Sequence, residues 1–258
     1  FKKLMGYVST PDNIIAAYDN AVKFVSKRNS GDCPIKGYSR YEAMDNTDIV
    51  NDIRTRLGNY LSGKVRLSET TRQSGKKTVW GIANMADLTI QQCILQVLDP
   101  ICEAKFYDWS YGFRPQRTVE QALGQIYRIM QRSHISYAVS LQIDDIYANV
   151  NHKKLLRQLW SLGIQDTTLH QIIKQMLKAP ICAEDGSASQ SDKGIIQCGI
   201  LMPFFLNVVL NELDWWIHSQ WVGQCDIMKN PPQIQIRDDG RDRSHEYRAL
   251  RRTNLKEM

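Results

Sequence analysis

The sequence predicts an α/β fold of the α+β kind, with amphipathic helices around a limited amount of sheet. Three observations predict it. Apolar residues recur at helical spacing at Ile90, Cys93, Ile94, Val97, Leu98 and Ile101, and again at Leu169, Ile172, Ile173, Met176 and Leu177. They alternate at strand spacing from Tyr137 to Asp144. The chain has 258 residues and 43% hydrophobic content, enough for one large domain or two small ones with a real core.

The elements follow in order. Pro11 to about Val25 is expected to be a helix with Ile14, Ile15, Tyr18, Val22 and Val25 on one side, and Asn29 to Gly37 a loop. Asp45 to Leu61 is the next helix, with Ile49, Ile53 and Leu57 inward. Lys64 to Ile82 reads as a hairpin turning at Ser74-Gly75 and carrying Lys64, Arg66, Arg72, Lys76 and Lys77. That hairpin is either a solvated basic surface or a phosphate contact. Asp87 is placed to cap a helix running to about Ala104. Thr118 opens another, with Gln121 three residues on as its capping-box partner.

Tyr137 to Asp144 is expected to be a strand, with Tyr137, Val139, Leu141 and Ile143 on one face. His152 to Leu162 is a helix closed by Gly163, and Asp166 to Lys178 is another. Asp185-Gly186 suits a hairpin turn. Pro203 suits a helix start, and the apolar run to Trp216 and Ile217 suits a buried helix. Beyond Trp221 the chain turns polar and charged.

Composition sets outer limits. A net charge of +6 favours polyanionic partners, though weakly. The six cysteines have no C-x-x-C pair, so a zinc site is not expected, and Cys93 and Cys102 fall within apolar helical patterns. There is no long apolar run and no signal-peptide pattern, so a reduced cytoplasmic setting without membrane contact is expected. Phe1 at the first position is expected of a segment of a longer reading frame.

Two places carry candidate chemistry. Ser110-Tyr111-Gly112-Phe113-Arg114-Pro115-Gln116-Arg117 combines a turn with two guanidinium groups and two aromatic rings. Arg114 and Arg117 suit phosphate contacts, and Tyr111 and Phe113 suit packing on sugar or base or, alternatively, against their own loop. The second place is Asp144-Asp145 at the end of the expected strand. Joining nucleotides takes two divalent ions about 4 Å apart held by converging carboxylates. An acidic strand end fits that requirement, and so does a merely solvated acidic turn.

With Ile90-Gln91-Gln92 and Lys193-Gly194…Gln197…Gly199-Ile200-Leu201, the Ser110–Arg117 stretch resembles the reverse transcriptases encoded by bacterial group II introns. Gly81-Ile82, Asp87, Leu98, Pro100, Phe106, Lys178-Ala179-Pro180, Pro203, Asn207 and Asn211 to Trp216 follow the same pattern in order. The resemblance covers nearly the whole chain and is strongest beyond about residue 64.

The resemblance implies the fingers and an incomplete palm of a right-hand polymerase. Residues 1–136 would be a fingers-like region with the basic hairpin. Residues 137–258 would be the incomplete palm, with an excursion at 153–190 packing toward the fingers. It implies RNA-directed DNA synthesis with Mg²⁺, on structured intron RNA or an RNA–DNA primer-template. By the same resemblance Asp144 or Asp145 would hold metal and Tyr147 would exclude a ribose 2′-hydroxyl. Arg72 and Lys76 would hold the triphosphate, and Gln197 would line the nucleotide site.

Departures from the pattern fall on polar positions. The family's metal-binding Asp falls on Gln142, whose amide lacks the charge that offsets a cation. Asp144 would lie roughly 6–7 Å further along a strand. Thr78, Leu88 and Cys198 stand where the family has Arg, Arg and Gly. No Tyr-Ala-Asp-Asp hairpin occurs. Arg237-Asp238-Asp239-Gly240 reads as an exposed loop, and the chain is expected to stop short of the hairpin. Three readings follow: an intron reverse transcriptase and maturase that binds intron RNA with impaired synthesis, a non-catalytic RNA-binding or scaffold protein of that descent, or a decayed fragment.

Overall fold

The computed structural model describes residues 1–28, 38–71, 77–133, 139–182, 188–189, 192–195 and 199–222. Two compact units divide the chain, Phe1–Leu213 and Asp214–Met258. Helix predominates over sheet.

In the first unit, α1 (Met5–Val8), α2 (Pro11–Arg28), α3 (Tyr38–Glu42) and α4 (Asn46–Gly58) precede a hairpin of β1 (Val65–Thr71) and β2 (Lys77–Ile82). Next come α5 (Met85–Glu103), α6 (Val119–Ser133), α7 (Ile146–Asn149), α8 (His152–Ser161) and α9 (Thr167–Leu177). A short hairpin, β3 (Ile181–Cys182) and β4 (Ala188–Ser189), leads to α10 (Met202–Ile217).

Helix periodicity builds the core. In α2, Ile14, Ala17, Ala21 and Val25 are fully buried, one or two turns apart, and pack toward α5. From α5 come Ile90, Cys93, Ile94, Leu98 and Cys102, and from α4 Ile49, Ile53 and Leu57. The helices α8, α9 and α10 extend the same cluster through Leu155, Leu159, Leu169, Ile173, Phe204 and Phe205. All five inward residues expected of α9 are buried.

Local chemistry sets the helix ends. Asp45, Asn151 and Asp166 each accept a backbone N–H three residues on, from Asp48, Lys154 and Leu169. Thr118 and Gln121 form the expected reciprocal box: Gln121 N donates to Thr118 Oγ1 at 3.3 Å, and Thr118 N to Gln121 Oε1 at 3.1 Å. Gly163 closes α8 at φ +93°, where a glycine is needed. One cap differs from expectation. Asn84 caps α5, and Asp87 is the third residue of its first turn.

The sheet has the order β2-β1-β3-β4. The β1–β2 pair is antiparallel with Arg66 opposite Ile82. β3 adds to β1 in parallel, Val65 opposite Ile181 and Arg66 opposite Cys182, and Val65 N donates to Pro180 O at 2.9 Å. The turns expected at Ser74-Gly75 and Asp185-Gly186 lie outside the described residues, but both pairs of flanking strands are present.

Two expectations fail. Residues 139–143 form no strand, and Val139, Leu141 and Ile143 are exposed together with the polar residues between them. Alternation suits a strand only where neighbouring strands satisfy its backbone and a layer covers one face. Among the described residues no ladder reaches this segment. The apolar run of α10 is buried over Phe204, Phe205, Leu206 and Val208 only. In the second unit, Trp215, Trp216 and Ile217 are exposed, and the rings of Trp215 and His218 meet edge-on at 5.6 Å.

Candidate nucleic-acid interface

The loop between α5 and α6 is organised around Arg114. Its side chain is only 2% exposed. Nε donates to both carboxylate oxygens of Glu103 at 3.0 Å, and Nη2 to Oε1 at 2.7 Å. Nη1 donates to the carbonyls of Tyr107 at 2.6 Å and Ser110 at 2.9 Å. The guanidinium also lies 5.6 Å from the centroid of the Phe106 ring. A planar fork meeting a carboxylate this way is a strong, directional interaction. The phosphate contact expected of Arg114 is therefore corrected: its donors are spent inside the loop, and it positions its neighbours.

Two asparagines of α10 hold the same loop from the other side. Asn207 Nδ2 donates to Gly112 O at 2.9 Å, and Asn211 Oδ1 accepts from Tyr107 N at 3.0 Å. The backbone so held puts Phe113 at φ +55° and Gln116 at φ +57°, a region that side chains other than glycine rarely occupy. The outcome is an outward Phe113, 69% exposed. Beside it, the Arg117 guanidinium sits 5.5 Å from the Tyr111 ring centroid, and Nη1 donates to Asp108 O at 2.8 Å. Phe113 is exposed, whereas Tyr111 and Arg117 are half-buried in the same loop, with Arg117 Nη2 3.9 Å from Asp108 Oδ1.

The acidic turn is built differently. Asp144 and Asp145 are exposed, and Asp145 has φ +45°. The Asp145 carbonyl accepts from Ala148 N and Asn149 N, starting α7, on which Tyr147 is half-buried. The segment 192–195 docks onto α7 and the start of α8. Ile195 N donates to Tyr147 O at 2.7 Å, Gly194 N to Val150 O at 2.8 Å, and His152 Nε2 to Gly194 O at 2.6 Å. Gly194 has φ +93°, and a Cβ there would lie 3.2 Å from Ala148 O. These contacts account for Lys193-Gly194 as a motif.

Among the described residues no group of three or more His, Cys, Asp or Glu side chains converges. Asp144 and Asp145 are successive residues of an exposed turn, and Gln142 is exposed beside them. Arg72, Lys76 and Gln197, expected at the nucleotide, lie outside the described residues, as do Arg237 to Gly240.

A third cluster was not legible as such in the sequence. Asp87 is buried and accepts from Tyr60 Oη at 3.0 Å, Gly63 N at 3.0 Å and Asn84 Nδ2 at 2.8 Å. Burial pushes its carboxyl above the usual carboxylate range, against the opposing pull of those three donors. A cavity of about 30 Å³ opens beside it, lined in part by Ser62, Gln91, Met176 and Gly199. Gln91, one of the lining residues, accepts at Oε1 from Ile200 N at 2.8 Å. In the sequence Asp87, Gln91 and Gly199 stand as separate positions of the resembled pattern, with nothing in their spacing to join them.

Residues 71–235 match the family described as reverse transcriptase (RNA-dependent DNA polymerase). The group II intron-encoded protein LtrA of Lactococcus lactis is 30% identical over 220 residues, covering 84% of this chain and 35% of LtrA. Nuclear intron maturase 2, mitochondrial, of Arabidopsis thaliana is 25% identical over 197 residues, covering 57% of this chain and 26% of that protein. This chain therefore spans about a third or less of the length of these relatives. Among solved structures, a chain of a partial Cas6-RT-Cas1–Cas2 complex aligns over 82% of this chain and 34% of its own length, with 18% identity and a TM-score of 0.51. That likeness is one of fold. From the matched family and these relatives together, the chain belongs to the reverse transcriptases, in the divergent group II intron-encoded and maturase branch.

Proposed function

We propose that this chain binds structured intron RNA through the loop 105–117, and that its capacity for RNA-directed DNA synthesis is impaired. The observation that carries the reading is the Arg114 clamp, which holds the loop that carries an exposed Phe113 and the Arg117–Tyr111 pair. An aromatic face next to a cation is the combination that packs on an unstacked base or sugar while meeting a phosphate. The similarity to intron-encoded proteins supplies the RNA class.

In this reading residues 1–136 are the fingers-like part and residues 137–258 the incomplete palm. Asp144 or Asp145 would contribute to holding Mg²⁺, and Tyr147 would select deoxynucleotides. Arg72 and Lys76 would meet the triphosphate, and Gln197 would line its site. The family's divalent ions, when bound, supply the charge that activates a primer hydroxyl. Gln142 supports impairment, because an amide at that position leaves the cation charge less balanced. An RNA–DNA primer-template is the partner of any residual synthesis. Free Cys93, Cys102 and Cys182 suit a reduced, cytoplasmic setting, and no helix among the described residues is long and apolar enough to cross a membrane.

The test is a salt series of binding to a group II intron transcript. Arg117→Ala is expected to lower the slope of log K against log salt by about 1, and Phe113→Ala to weaken binding at every salt concentration. Unchanged binding by both variants rejects the loop as the interface. Primer extension with Mg²⁺ separates the catalytic question: extension by the unmodified chain rejects impairment.

A further inference from the structure

Tyr147 rides on a helix too short to hold itself. α7 has four residues and begins on the two bonds that Ala148 N and Asn149 N donate to the Asp145 carbonyl. A single helical turn is not stable alone. At its far end the carbonyls accept from another part of the chain: Ile195 N donates to Tyr147 O at 2.7 Å, and Gly194 N to Val150 O at 2.8 Å. Lys193 Nζ adds a bond to Asn149 Oδ1 at 3.3 Å. The segment 193–195 is therefore a splint along α7, bonded directly to the Tyr147 backbone.

His152 fixes the splint. It is the first residue of α8, whose start is capped by Asn151 and whose Leu155 and Leu159 are fully buried. From that rigid mount its Nε2 lies 2.6 Å from Gly194 O. A carbonyl oxygen only accepts, so Nε2 carries the proton. His152 is 4% exposed, and its Nδ1 has no hydrogen-bond partner among the described residues. A buried polar atom without a partner lowers stability, and an apolar side chain of similar size would avoid that cost. What the imidazole supplies instead is one directed bond to the residue next to Ile195.

We infer that His152 is a positioning residue for sugar selection: it holds Gly194, and through Gly194 and Ile195 it sets where Tyr147 stands. The inference rests on the reading of Tyr147 as the residue that selects deoxynucleotides. Exclusion of a 2′-hydroxyl is a contact between one oxygen and one ring, so a displacement of about 1 Å in that ring changes it. His152 acts on this contact through backbone bonds alone.

The test is equilibrium binding of dATP and ATP, which differ only in the 2′-hydroxyl. The full chain is used with Mg²⁺ and an RNA–DNA primer-template that presents uracil and carries a chain-terminated primer. His152→Ala is expected to lower the preference for dATP over ATP about three- to tenfold. His152→Gln, whose amide N–H can reach the same carbonyl, is expected to keep most of it. Lost stability by itself weakens both nucleotides equally and leaves the ratio alone. In a Tyr147→Ala chain the preference is expected to vanish, and His152→Ala to change it no further. An unchanged ratio in folded His152→Ala overturns the inference and leaves the reading of Tyr147 standing. So does an effect of His152→Ala that persists in the Tyr147→Ala chain, or a His152→Gln ratio as low as that of His152→Ala. A parent chain that binds the two nucleotides alike, or binds neither, removes the reading of Tyr147 and the inference with it. If His152→Ala fails to fold, His152→Leu, which fills the space of the ring without a donor, replaces it with the same outcomes.

Discussion

Gln91 and Gly199 are joined by a single oxygen. Gln91 Oε1 accepts the N–H of Ile200 at 2.8 Å, and the same oxygen lies 2.8 Å from where a Cβ on Gly199 would stand. Two sequence motifs 108 positions apart are therefore one contact, and the glycine is present because the amide must come close. Gly199→Ala is expected to cost about 1–3 kcal/mol by pushing Gln91 off its acceptor role. Urea denaturation of Gly199→Ala, Gln91→Ala and the double variant checks this. Additive effects of the two substitutions would show that the contact does not couple them.

Arg114→Ala is expected to destabilise the fold by about 2–4 kcal/mol, since it strands Glu103 and two loop carbonyls. Arg114→Lys should recover less than half of that, because an ammonium cannot serve a carboxylate and two carbonyls in one plane. Thermal melts of the two variants make the comparison. Full recovery by lysine would show that charge alone holds the loop.

Gly194→Ala should cost about 1–2 kcal/mol. At φ +93° an alanine is strained, and its methyl would lie 3.2 Å from Ala148 O. Proteolysis within residues 144–152 should rise in this variant, because the strand-like docking of 193–195 covers α7. An unchanged digestion rate would separate that docking from the glycine.

The buried Asp87 carboxyl predicts a pH signature. Its folded-state pKa is raised above 3.8 by burial, so the folded state holds the proton more tightly than the unfolded state. Its contribution to stability is largest at low pH and falls as pH rises from below 4 through the raised folded-state value. Subtracting the stability of Asp87→Asn from that of the parent isolates this slope, since Asp52, held low beside Arg56, is common to both chains. A difference that rises with pH would mean that the donors from Tyr60, Gly63 and Asn84 outweigh desolvation.

Much of the helical framework was legible because burial and helical period coincide. Ile49, Ile53 and Leu57 in α4 and Leu169 to Leu177 in α9 show it, and Thr118 with Gln121 announced the start of α6 through side-chain chemistry alone. The strand expected at 137–144 is absent over its described part, 139–144, for a physical reason: alternation records which face a strand would bury, and sheet formation needs a neighbour that no described residue supplies. Arg114 misled differently. A guanidinium beside aromatic residues suits a phosphate, but Glu103 lies close enough in the fold to claim it first. The sequence left Phe113 open between packing on a base and packing against its own loop, and nothing in composition foretold the left-handed backbone at this exposed residue.

The parallel seam between β1 and β3 has a further consequence. Val65 and Ile181 are neighbours across 116 positions of chain, so the β1–β3 pairing can form only after the chain through Cys182 has been made. During synthesis, a polypeptide that has emerged only as far as α8 carries a bare hydrogen-bonding rim along Val65 and Arg66. Until Pro180 and Ile181 arrive, that rim is an open strand edge on which another chain can pair.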